Sequence, residues 1–378
     1  MASPGAMAGG SHAPWPRGGE SRAFVGGTYW WNYPIVRELF SVPAGRPVFF
    51  RNVGEAIDAA RRNRGRVVAW AARLEPRHEA ECADHDIDLV RIEDGFIRSI
   101  GLGAGFSSAA SLAVDGRGIY YDPTRPSDLE NLLQTAELTD ADRAAGGRIR
   151  QRIVELRLSK YNLHRGGTAS IDAGGRKIIL VPGQVADDAS VLNSMSPSID
   201  LRSEESINLQ LLRHARARNP DAYLVFKPHP DVCSGLRKGH IAPGDARSFA
   251  DLIIDDVDIV DLITMCDGVE TISSLAGFEA LLRGKEVTVH GLPFYAGWGL
   301  TNDLARSPRR TARRSIEDIC YVAFVQYTRH VHPVSRRVCT IHDLLNALDD
   351  LRSSRLHRFR GAALLRYARF CEFLSARI

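Results

Sequence analysis

Apolar and polar positions along this chain fall into two alternating periods, and their order predicts the architecture. VGEAIDAARRNRG (53–65) carries apolar residues at helical spacing and closes on a glycine, and RVVAWAA (66–72) follows as a strand-length apolar run. IDLVRI (87–92) is a second such run and delivers Glu93–Asp94–Gly95. SLAVDGRGIYYD (111–122) predicts a hairpin turning at Asp115–Gly118. SDLENLLQTAEL (127–138) and RIRQRIVELRLSKYN (148–162) predict helices, and the polar, Gly-rich HRGGTASIDAGGRK (164–177) marks a domain boundary. Beyond it the pattern restarts: strand KIILVP (177–182), loop GQVADDAS (183–190), helix ESINLQLLRHARAR (205–218) and strand AYLVF (222–226). GVETIS (268–273), LAGFEALLRG (275–284) and KEVTVHG (285–291) continue as strand, helix and strand. Such alternation predicts two doubly wound α/β domains. The expected divisions are a structureless leader over 1–45, domains over 46–165 and 176–305, and a helical extension over 306–378.

Composition narrows this picture only slightly. The 378 residues suit two domains of ordinary size, and 44% hydrophobic with 25% charged residues fits a globular protein. The net charge of +4 favours an anionic ligand or membrane surface without indicating nucleic acid. Cys82, Cys233, Cys266, Cys320, Cys339 and Cys371 form no CxxC pair and no zinc spacing, as expected of a reduced, cytoplasmic protein. No apolar run approaches the ~20 residues of a membrane span. The opening MASPGAMAGGSHAPWPRGG lacks the apolar centre of a signal peptide. RLHRFRGAALLRYARFCEFLSARI (355–378) has the pattern of a basic amphipathic helix, which either packs on a domain or lies peripherally on the inner-membrane face.

Four loops collect reactive groups after predicted strands, where open α/β sheets bind ligands. In KPHPDV (227–232), Pro228 and Pro230 stiffen a loop that presents Lys227 and His229, a pair suited to neutralising a phosphate. Glu93 and Asp94 suit general acid/base work, although an isolated EDG is more simply a solvated turn. Asp187 and Asp188 offer a nucleophile or base that Gln184 could orient, or else serve as loop solubilisers. Ser273 and Ser274 are either simple N-caps or part of an anion site at a helix start. Glu279 suits ribose hydroxyls, or is a helix-face charge. GLGAGF (101–106) follows a charged loop rather than a strand and is set aside as a dinucleotide fingerprint. DDVDIVD (255–261) is a capped helix start rather than a metal site. Tyr295 and Trp298 belong to core packing before sugar stacking.

Together, EDGFIRSIGLG, GIYYDPTRPSDLENLL, LSKYN, VPGQVADDAS, KPHPDV, SSLAGFEALLRGKEV and GLPFYAGWGLTND resemble, in order, one module of the KpsC-type capsular polysaccharide β-Kdo glycosyltransferases. The resemblance runs from roughly Asn52 to Leu345. It implies a GT-B-like α/β fold of two Rossmann-type domains, a CMP-Kdo donor, no metal or other cofactor, and a lipid-linked Kdo acceptor made for capsule assembly and export. Products of this family are β-linked with retention, which implies a carboxylate nucleophile and a second group handling protons. Asp188, last residue of the Q-x-x-x-D pattern starting at Gln184, is the implied nucleophile, with Asp187 as its neighbour. Glu93 or Asp94 would be the acid/base. Lys227, His229, Ser273 and Ser274 would hold the leaving phosphate, and Arg98 would pair either with the Kdo carboxylate or within the protein. The EDG and HP motifs are also similar to those of bacterial sialyltransferases, so a different CMP-sugar stays open, as does a non-catalytic scaffold.

Overall fold

The computed structural model describes residues 21–99, 108–160, 162, 170–235 and 237–353. The first domain contains β1 (Ala23–Gly26), α1 (Tyr33–Phe40), β2 (Val48–Phe50), α2 (Val53–Asn63), β3 (Arg66–Trp70), α3 (Pro76–Asp84), β4 (Leu89–Asp94), β5 (Ser111–Asp115), α4 (Asp128–Thr135) and α5 (Asp140–Glu155). The second contains β6 (Ile178–Pro182), α6 (Ala189–Leu192), α7 (Ile207–Arg218), β7 (Tyr223–Lys227), α8 (Pro230–Cys233), α9 (Pro243–Arg247), β8 (Leu252–Ile253), α10 (Ile259–Met265), β9 (Gly268–Thr271), α11 (Leu275–Leu282), β10 (Glu286–Val289) and β11 (Asn302–Asp303). The chain then returns to the first domain through α12 (Ile316–Tyr321), a π-helical turn (Val322–Tyr327), β12 (Thr328–Val331), β13 (Val338–Cys339) and α13 (Ile341–Ser353).

Six parallel strands form the second sheet in the order β11-β10-β9-β6-β7-β8. Read from the β8 edge this is the 3-2-1-4-5-6 order of a doubly wound dinucleotide fold, with its switch point between β6 and β9. The first sheet is mixed, β13-β12-β5-β4-β3-β1-β2: β4, β3, β1 and β2 run parallel, whereas β5, β12 and β13 pair antiparallel. The expected GT-B-like arrangement of two Rossmann-type sheets is therefore present. No described helix is long and apolar enough to cross a membrane.

Local chemistry explains most boundaries. The Asn52 side chain accepts the Glu55 N–H and caps α2, which buries Val53, Ala56, Ile57 and Ala60 along one face. The helix closes on Arg64 in the left-handed region (φ 50°), one residue before the expected glycine. Gly65 serves close approach instead, because a Cβ there would collide with the Phe24 ring. Asp258 caps α10, as expected of DDVDIVD.

Three expectations change. Residues 23–45 are not a structureless leader: β1 lies between β2 and β3, and α1 buries Ile35, Val36, Leu39 and Phe40 in the first core. SLAVDGRGIYYD forms no hairpin. Residues after β5 leave the sheet because the Asp115 carboxylate accepts the Arg117 and Gly118 N–H groups, and β5 pairs with β4 and β12 instead. The region after 306 supplies helices α12 and α13, but it also gives β12 and β13 to the first sheet and so completes that domain. Its α12 crosses α5 at Gly146, where a Cβ would meet the Glu317 carbonyl. The amphipathic 355–378, GLGAGF and the first twenty residues lie outside the described residues.

The two domains meet across an aromatic cluster. Phe96, directly after the EDG loop, stacks on Phe294 at 4.5 Å between centroids and also approaches Phe278, Phe324 and Tyr327. Beside it, the buried Arg310 bonds Glu130 (2.9 Å) and the carbonyls of Pro293 and Ala296. These contacts fix the strand ends of both sheets around one cleft.

Candidate active site

The cleft holds about 680 Å³. From the second domain, the loops after β6, β7 and β9, the end of β7 and helix α11 line it with Gln184, Asp187, Asp188, Lys227, His229, Ser273, Ser274 and Glu279. The first domain contributes Glu93 at the end of β4, together with Trp70, Tyr120, Tyr121 and Lys160. Of the eleven residues given a candidate catalytic or binding role from sequence, only Asp94 and Arg98 are not in its wall.

Gln184 ties the switch point together. Its Oε1 accepts from Thr271 Oγ1 (2.9 Å), Ile272 N (2.9 Å) and Ser273 N (3.2 Å), and its Nε2 donates to Ser273 Oγ (3.2 Å). Its amide is thus committed to joining the β6 and β9 loops, not to orienting an aspartate. Ser274 Oγ caps α11 by accepting the Ala276 N–H (3.2 Å), and the Ser273 and Ser274 N–H groups are donated within the protein. Both hydroxyl oxygens accept, and neither O–H donates a hydrogen bond among the described residues, so each can donate to a ligand.

Asp188 is the N-cap of α6. Its Oδ1 accepts from Ser190 N (2.9 Å) and Ser190 Oγ (2.7 Å), while its Oδ2 accepts no bond among the described residues. One oxygen is therefore fixed and the other is presented. Asp187 instead pairs with Arg237 at 3.2 Å.

Glu93 and Asp94 separate because successive strand residues face opposite ways. Glu93 faces the cleft, and burial, followed by the adjacent Asp94 charge, pushes its carboxyl up to about 8; Asp188 adds to the rise and Lys160 opposes it. Asp94 turns away to a buried ion pair with Arg98 (2.7 Å), whose Nη1 also donates to Ser99 Oγ. Arg98 is 1% exposed, so its charge stays within the protein and is not offered to a substrate carboxylate. Asp94, paired with Arg98, is not part of the cleft wall.

Lys227 is buried, with Nζ donating to the Asp255 carbonyl (3.1 Å). His229 differs from the expected cation: burial holds its pKa below the usual histidine value. Its Nδ1 accepts the Asp231 N–H (3.2 Å), which leaves the ring proton on Nε2. The neutral ring is a hydrogen-bond donor rather than a charge. Glu279 Oε1 accepts the Lys160 N–H (2.9 Å) across the domain junction, and burial raises its pKa to about 7. Tyr295 and Trp298 are core residues at 0% and 1% exposure, although the Tyr295 hydroxyl reaches the Ser274 carbonyl.

Sequence reasoning assigned no role to Lys160, Tyr120, Tyr121 or Trp70. The first three sit in LSKYN and GIYYDP, stretches already marked by the family resemblance, and Trp70 lies within the predicted strand RVVAWAA and ends the observed β3.

Residues 66–335 match the family model described as capsule polysaccharide biosynthesis protein. The chain is 39% identical over 319 residues to the capsule polysaccharide modification protein LipA of Neisseria meningitidis serogroup A, covering 84% of this chain and 43% of that protein. It is 41% identical over 249 residues to the lipopolysaccharide-processing protein LpsZ of Rhizobium meliloti, covering 65% and 54%. The chain thus spans about half the length of the curated relatives it matches. Among solved structures, it superposes on the Thermosulfurimonas dismutans KpsC β-Kdo 2,4 transferase with a TM-score of 0.72 at 30% identity, covering 87% of this chain and 98% of that one. For the β-Kdo 2,7 transferase of the same protein the values are 0.70, 31%, 88% and 100%.

Proposed function

The chain belongs to the capsule polysaccharide biosynthesis protein family, and from that premise we propose that it is a retaining glycosyltransferase moving Kdo from CMP-Kdo onto a lipid-linked Kdo acceptor. The observation that carries this reading is the pairing, in one cleft, of Glu93 with its pKa near 8 and Asp188 with one free oxygen. A carboxyl whose pKa is raised by its surroundings, in one cleft with a second carboxyl that presents an oxygen, suits a double displacement.

In the first step Asp188 Oδ2 attacks the anomeric carbon, the bond to the phosphate oxygen breaks, and its electron pair leaves with CMP. Glu93 gives its proton to the departing phosphate and becomes the carboxylate. In the second step the acceptor hydroxyl attacks the anomeric carbon, its proton passes to Glu93, and the Asp188 ester bond breaks. Two inversions give net retention. Lys227 meets the phosphate with fixed charge, while His229 Nε2–H and the Ser273 and Ser274 hydroxyls donate to it as negative charge develops. Glu279, through the oxygen not held by Lys160, accepts from the ribose.

Incubation with CMP-Kdo and a Kdo-terminated lipid acceptor, followed by linkage analysis, tests the proposal. The expected product carries one added β-linked Kdo. Turnover with a different CMP-sugar alone would change the donor, and none with any CMP-sugar would favour a non-catalytic assembly or export component.

A further inference from the structure

The loop between β1 and α1 carries an aromatic row that begins in the cleft wall and ends in solvent. Trp70 lines the cleft and meets Tyr29 edge-on at 6.5 Å. Tyr29 stacks on Trp31 at 4.5 Å and 9°, and Trp31 meets Trp30 edge-on at 5.8 Å. Trp30 is 64% exposed and Tyr29 39%. Isolated exposed apolar residues need no explanation, but a contiguous aromatic row continuous with an active cleft does.

This row is built, not frayed. The exposed Arg73 donates to the Tyr29 hydroxyl (2.7 Å) and lies over its ring at 5.4 Å. That packing requires Gly27, whose φ of +72° and close approach to the Arg73 side chain exclude a Cβ. Beside Tyr29, Thr28 is 8% exposed, and its Oγ1 has no hydrogen-bond partner among the described residues.

We propose that Tyr29, Trp30 and Trp31, with Arg73 at their side, form the acceptor subsite and hold an acidic saccharide beyond the sugar that reacts. Aromatic faces pack against the apolar face of a pyranose ring, and the guanidinium supplies the charge that a carboxylated sugar requires. The row starts at Trp70, on the Glu93 side of the cleft, where the acceptor hydroxyl must enter if Glu93 is its base. This inference rests on the transferase reading for the identity of the sugar, but its binding step is measurable without turnover.

The probe is a soluble, lipid-free Kdo-terminated oligosaccharide, titrated against the full chain by calorimetry, with CMP titrated separately. Wild type should bind both. Trp30→Ala should weaken the oligosaccharide about tenfold, the scale of an anchoring aromatic, and leave CMP unchanged. Trp30→Tyr, which keeps a ring, should recover most of that loss, and Arg73→Gln should weaken the probe as Trp30→Ala does. In turnover, acceptor KM should rise while kcat stays. Equal binding by wild type and Trp30→Ala, or no binding by wild type, overturns the subsite. So does a loss confined to vesicle binding, which would make the row a membrane contact. Trp30-dependent binding without turnover on any CMP-sugar would support the subsite while refuting the transferase.

Discussion

Replacing Glu93 with Gln keeps the shape of the side chain and removes its titration. Burial raises this carboxyl from 4.5 to about 8, so across that interval the folded protein holds a proton that the unfolded chain has released. Stability contributed by the protonated group is complete below pH 4.5 and is lost as pH rises through 8. At about 1.36 kcal/mol per pKa unit, the part falling between pH 6 and pH 9 is at most about 3 kcal/mol. This is an upper bound, because the carboxyl opens onto cleft water. Glu93→Gln carries no such loss. With an unfolding entropy of about 2 cal/mol/K per residue over the whole chain, the wild-type Tm should fall relative to the variant by up to roughly 4 °C between these pH values. Differential scanning calorimetry of both proteins at pH 6, 7.5 and 9 measures it. The variant should also lose transferase activity by roughly 10²-fold or more, as expected on removing a general acid. Parallel Tm curves would refute a neutral Glu93 and remove the proton that the first displacement requires.

Asp188→Ala should abolish transfer while sparing CMP binding, and native protein given donor alone should show a Kdo adduct on the peptide containing Asp188 by mass spectrometry; an adduct on Asp187 would reassign the nucleophile. His229→Ala should lower kcat by roughly 10²-fold, the scale of a lost preorganised donor. Because the ring is already neutral, wild-type kcat should show no fall attributable to His229 between pH 6.5 and 7.5; a fall there that disappears in the variant would restore the cationic role. Arg98→Ala should strand Asp94 in the interior and cost about 3–5 kcal/mol in urea unfolding. Its Arg98→Lys counterpart should leave donor KM unchanged, whereas a raised donor KM at unchanged stability would return Arg98 to the substrate.

The elements legible in the sequence were those whose evidence is local. Helix α2 announces itself by its cap and apolar face, and β6 and β7 by their apolar runs. The missed ones depend on distant partners. AFVG is too short to declare a strand until β2 and β3 flank it, and TRHV becomes a strand only by pairing with β5 and β13. The same division runs through the site. Its loops could be found because parallel sheets place ligands at strand ends, but Glu93 and Asp94 read alike as acid/base candidates until the structure put one in the cleft wall and the other against Arg98. Charge state was not legible in the same way. KPHPD places a lysine beside a histidine whatever the fold, but only burial and the Asp231 N–H make that histidine a neutral donor. EDG places two carboxyls together, but only burial in the cleft, with the Asp94 charge beside it, lifts Glu93 to about 8. The chemistry therefore depends on the junction as much as on the motifs. Phe96 stacked on Phe294, with Lys160 donating its N–H to Glu279, holds both halves at the separation that sets those protonation states. A substitution at Phe96 should thus disturb the titration of Glu93 without touching any group that contacts the sugar.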